Sequence, residues 1–142
     1  MPYATLQQLT DRFGESMLIA LTDRGPVELG AIDTVIVDRA QQDADAMING
    51  YLAGRYQPLV TVPALISDIA ASIVIWKLHV TTPEDKIKAD YDAALRTLRD
   101  IASGLVRIPD AAGLEPASSG ASGVIVTDRD RPFTADNMTG FI

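Results

Sequence analysis

Cysteine is absent from the 142-residue chain, histidine and tryptophan occur once each, and aromatic residues make up only 6%. The first absence excludes disulfides, thiol nucleophiles and cysteine-ligated metals, and it fits a reducing compartment. With His79 alone, a histidine-based metal site would need carboxylates for its other ligands, and no HExxH-type spacing exists. Positive charge is also scarce, with 12 Lys and Arg against 19 Asp and Glu for a net charge of −7. Binding to nucleic acid is driven by Lys and Arg neutralising phosphates, so this balance argues against a tight grip on DNA. No apolar run reaches the roughly eighteen residues of a membrane span. The opening "MPYATLQQLTDRFG" lacks the basic start and apolar core of a signal peptide, so the expectation is a cytoplasmic product with no membrane association.

What is present is a hydrophobic fraction of 47% in a chain of single-domain length. Residues 1–108 carry helical periodicity and the rest does not, which predicts an all-α bundle of four to five helices with an extended C-terminal arm. Thr5 is a plausible N-cap for "LQQLTDRF", Gly14 a stop, and "ESMLIALTD" a second short helix broken by "DRGPVELG". From Asp33 an amphipathic helix is expected, with Ile36, Ala40, Ala44, Met47, Ile48, Tyr51 and Leu52 at three- and four-residue intervals. The next should begin near Pro63. Its run "ALISDIAASIVIWKLHV" is apolar on nearly every side, as in a central helix. In "TTPEDKIKADYDAALRTLRDIASG" the expected cap is Thr82, with Pro83 at the first position, Glu84 and Asp85 in the first turn, and Gly104 as terminator. Its apolar stripe comprises Ile87, Tyr91, Ala94, Leu95, Leu98, Ile101 and Ala102.

Candidate chemistry is thin. His79 reads as a helix-end or packing residue. Asp43 and Asp45 lie two apart and cannot share a helical face, while Glu84 and Asp85 are explained by the helix dipole. Ser118, Ser119 and Ser122 occur in a Gly-rich stretch without a GxxxxGK[ST] or GxSxG pattern. Trp76 and Tyr91 lie on apolar faces, where core packing is the expectation. No enzymatic activity, cofactor or metal is expected. In "GRYQPL", Pro58 should stop the helix while Tyr56 and Leu59 pack beneath the turn. Arg55 has two readings, capping helix carbonyls or pairing with an acidic residue of a neighbouring subunit.

The order of these segments carries a resemblance. "YATLQQLTDRFGESMLIALTD", "RAQQDADAMINGYLAGRYQPL", "VPALISDIAASIVIWKL", "IKADYDAALRTLRDIASGLVRI" and "RPFTADNMTGF" together resemble the Mu-like phage head-to-tail joining proteins, also called head completion or adaptor proteins. That resemblance implies a structural virion protein at the capsid-tail neck, made in the bacterial host cytoplasm. It implies a homo-oligomeric, dodecameric ring that docks on the portal, lets DNA pass without tight binding and receives the next neck or tail protein. The competing readings are another neck component, such as a stopper or tail terminator, and a small DNA-binding regulator.

Beyond the core, residues 109–123 have the Gly, Ser, Ala and Pro content of a flexible linker, and residues 124–142 read as a docking arm. Val124, Ile125 and Val126 form one short strand-like run, suited to pairing by strand addition. Phe133, Met138, Phe141 and Ile142 are the candidate anchors, since exposed apolar side chains in a polar segment usually fill pockets on a partner. The alternative is that this segment folds back on its own helices.

Overall fold

Thr5 opens the first helix with a reciprocal cap: its hydroxyl accepts from the Gln8 N–H at 3.3 Å and the Gln8 side chain accepts from the Thr5 N–H at 2.9 Å. The computed structural model describes residues 2–56, 58–109 and 111, and its regular elements are five helices, so the fold is all-α. They are α1 (Leu6–Phe13), α2 (Glu15–Thr22), α3 (Thr34–Leu52), α4 (Ala64–Leu78) and α5 (Asp85–Ser103). Gly14, at φ +89°, ends α1 and starts α2 in one residue, a corner that a side chain would strain. Asp33 caps α3, its carboxylate accepting from the Val35 and Ile36 amides at 3.0 and 3.4 Å.

α4 packs against both α3 and α5 and buries residues around most of its circumference, among them Ile66, Ile69, Ile73, Val74 and Ile75. Its neighbours fix its direction. Arg55, just past the end of α3, reaches the last carbonyls of α5, so these two helices end at the same pole of the bundle. The end of α4 meets the start of α3 at the opposite pole, where Leu78 and Val35 line one cavity. α4 therefore runs antiparallel to α3 and α5. α1 lies across this bundle, with Arg12 paired to Asp68 of α4 at 2.6 Å. The three buried polar residues are all satisfied locally or across elements: Thr22 and Ser72 donate to the carbonyls four residues earlier, and Gln41 donates to the Ala4 carbonyl at 2.7 Å.

Three expectations are corrected. α5 starts at Asp85 with Glu84 at the cap position, so Thr82 and Pro83 belong to the connection from α4, and no side chain caps this helix. α4, by contrast, starts where expected, at Ala64 with Pro63 as its N-cap. The buried stripe of α3 includes Val37 and Gln41, while Ile36, Met47 and Tyr51 are half-buried at its margins. On α5, Leu95 is likewise half-buried and Ala102 exposed, leaving Ile87, Ala94, Leu98 and Ile101 as the core.

Candidate partner-binding surfaces

The turn after α3 anchors the end of α5. The Arg55 guanidinium donates to the carbonyls of Ala102 at 3.4 Å and Ser103 at 3.2 Å, placing a fixed cation on the negative end of the helix dipole. Of the two roles anticipated for this side chain, carbonyl capping is the one it makes within the chain, and the helix it caps is α5. Gly104 closes α5 in the left-handed region at φ +87°, directly beneath this guanidinium. Tyr56 is buried, and its hydroxyl accepts from the buried Ile108 amide at 3.1 Å. Leu59 packs half-buried against the core. The chain therefore leaves the bundle from a fixed point. The anticipated anchors Phe133, Met138, Phe141 and Ile142, and the run Val124, Ile125 and Val126, lie outside the described residues.

Large exposed apolar side chains gather at the two poles. Val60 and Leu105 stand at the pole from which the chain exits, at 97% and 80% exposure. At the other pole stand Val27, Leu29, Val35 and Val80. All six stand at helix ends or in the connections between helices. Neither pole was foreseen from sequence, because these valines and leucines fall in loops or beside caps, outside any helical period.

Several polar groups elsewhere have structural partners. His79 ends α4 with its Nδ1 2.7 Å from the Ile75 carbonyl oxygen. Trp76 and Tyr91 stack at 4.7 Å between ring centroids with planes 8° apart, joining α4 to α5. Asp45 accepts from the Tyr3 amide at 3.1 Å, and the Tyr3 hydroxyl bonds Asn49, tying the start of the chain to α3. Burial raises the Asp45 carboxyl above the ordinary carboxylate range, partly offset by that amide. Burial and the nearby Asp45 charge raise the Tyr3 phenol. A groove of about 550 Å³ runs between α1 and α4, lined by Tyr3, Gln8, Arg12, Val62 and Asp68 among others. No group of three or more His, Asp or Glu side chains able to hold a metal occurs among the described residues, and none of their helices is long and apolar enough to cross a membrane.

Residues 3–126 match the family model described as Bacteriophage Mu, Gp36. The chain is 30% identical to "Gene product J" of Escherichia phage Mu over 143 aligned positions, covering 100% of both proteins. It is also 34% identical over 82 residues to the Mu-like prophage FluMu protein gp36 of Haemophilus influenzae, covering 57% of this chain and 58% of that one.

Proposed function

Given that this chain belongs to the Bacteriophage Mu, Gp36 family, we propose that it is the head-to-tail adaptor of a Mu-like virion. Copies assemble as a dodecameric ring beneath the portal, extend the DNA channel and present a platform to the next neck or tail protein. The observation that carries this reading is the bipolar bundle, with exposed apolar side chains at both ends and the root of the C-terminal segment clamped at one of them. Such a subunit can meet one partner above and another below while its charged flanks stay in solvent or face the channel. The net charge of −7 suits a channel wall that DNA must slide past.

Phe133 and Phe141 are the anchors in this reading. Replacing both by Ala, or removing "RPFTADNMTGFI", leaves the helical core folded and weakens docking by roughly 2 kcal/mol or more per aromatic. The test is co-sedimentation and cryo-imaging of these variants with portal-bearing heads, alongside circular dichroism of the isolated protein. Rings on heads with the natural chain and none with the truncated one are expected. Full attachment by the truncated chain refutes the anchoring role. Attachment to isolated tails and never to heads refutes the adaptor reading in favour of a tail terminator.

A further inference from the structure

The pole opposite the exit point holds a cavity of about 280 Å³ whose lining includes Arg24, Val35, Ile36, Arg39, Asp43 and Lys77. Three cations thus face one carboxylate in a chain of net charge −7. Arg24 is committed to the carbonyls of Leu21 and Leu78. Arg39 and Lys77 make no ion pair among the described residues. Val35, within the lining and 66% exposed, gives the cavity an apolar shelf at its rim. A shelf of this kind fits a segment in which apolar side chains are followed closely by carboxylates.

The chain contains such a segment. Residues 124–131 read "VIVTDRDR". In an extended strand alternate residues share a face, so Val124, Val126, Asp128 and Asp130 fall on one side, and Ile125, Thr127, Arg129 and Arg131 on the other. One face is therefore apolar and then acidic, with the arginines turned away. The step between same-face residues of a strand is about 6.6 Å, and that between helix positions four apart is about 6 Å. Val126 laid on Val35 thus brings Asp128 beside Arg39, one turn further along α3, and the complementary stretch ends there, because the next same-face residue, Asp130, would meet the Asp43 carboxylate.

We propose that this cavity is the seat for the 124–128 segment of a second copy of this chain, bound extended with Val124, Val126 and Asp128 on α3. The inference rests on the ring reading above, because a closed ring needs a head-to-tail contact between two different patches of one subunit. Reach allows it. α5 has 19 residues and is about 28 Å long, and the chain from Ala111 to Val124 spans up to about 43 Å, enough to pass from the exit pole to the opposite pole of a neighbour.

Because the natural chain has no cysteine, single engineered thiols report this contact without background. Full-length Val35→Cys carrying a mass tag is mixed with untagged full-length Val126→Cys, assembled and treated with a mild oxidant. A mixed tagged–untagged disulfide is expected. Ile125→Cys, on the far face, should give several-fold less of it, and Arg39→Glu with Lys77→Glu should lower the yield about tenfold. Intact rings without the mixed disulfide overturn the seat and leave the adaptor reading standing. A disulfide formed only within single chains of the Val35→Cys, Val126→Cys double variant, independent of concentration, overturns it in favour of fold-back. Capture of Val126→Cys by another virion protein in place of Val35→Cys overturns it as well. Absence of any ring by native mass and imaging, with or without portal, fails the adaptor reading and this inference together.

Discussion

Gly104→Ala tests whether the point where the chain leaves the bundle is held rigidly. At φ +87° a residue with a Cβ is disfavoured by about 1–2 kcal/mol. The new Cβ would also lie 2.5 Å from the Arg55 guanidinium carbon and Nη2, and 2.6 Å from Nη1, so the guanidinium must move. Moving it loosens its bonds to Ala102 and Ser103, which are solvent-exposed and therefore worth only about 0.5–1 kcal/mol together. The expected total is about 1.5–3 kcal/mol. In an Arg55→Ala background only the backbone part remains, so the double-mutant cycle should return a coupling of about 0.5–1 kcal/mol. Urea denaturation of the four full-length chains, followed by circular dichroism, measures it. Strict additivity would mean that Arg55 does not sit on Gly104 and that the exit point is not clamped.

Leu98, fully buried, and Leu95, half-buried, separate the core of α5 from its margin. Leu98→Ala should cost about 3–5 kcal/mol and Leu95→Ala about half as much in thermal or urea unfolding, and equal costs would contradict the assigned face. Tyr56→Phe removes the acceptor for the buried Ile108 amide, for about 1–3 kcal/mol; amide exchange at Ile108 should accelerate, and unchanged exchange would refute the contact. Burial raises Asp45 above its ordinary 3.8, so the folded chain holds this proton more tightly than the unfolded one, and the group's contribution to stability, complete below 3.8, is lost as pH rises through the folded value. Asp45→Asn, which keeps an acceptor for the Tyr3 amide, should therefore be more stable than the natural chain at neutral pH, with the gap closing near pH ~3. A gap independent of pH would contradict this.

Local signals in the sequence were reliable where the physics is local. The Thr5 N-cap, the Gly14 stop and the Gly104 terminator each depend on residues within four positions, and each was legible. The all-round apolar character of α4 likewise announced the central helix. Errors arose where a distant partner decided the outcome. Gln41 is polar and falls outside the expected apolar stripe of α3, yet it is buried because the Ala4 carbonyl, 37 positions away, accepts from its amide. Thr82 and Pro83 form a sound start signal that the chain uses instead to cross from α4 to α5. Arg55 was open between two readings, capping and pairing with a neighbouring subunit, and periodicity had no means of showing that the helix it caps within the chain would be α5. The apolar poles were invisible for a related reason, since they arise from which helix ends the packing gathers together.

The stack of Trp76 on Tyr91 makes the α4–α5 seam optically addressable. Trp76 is the only tryptophan in the chain, so the indole emission of the whole protein comes from one half-buried site whose ring lies face to face with a neighbour on the next helix. Any event that slides or parts these two helices, including engagement of a partner at either pole, alters the environment of a single chromophore. The bundle thus carries its own label, placed on a seam that links its two ends.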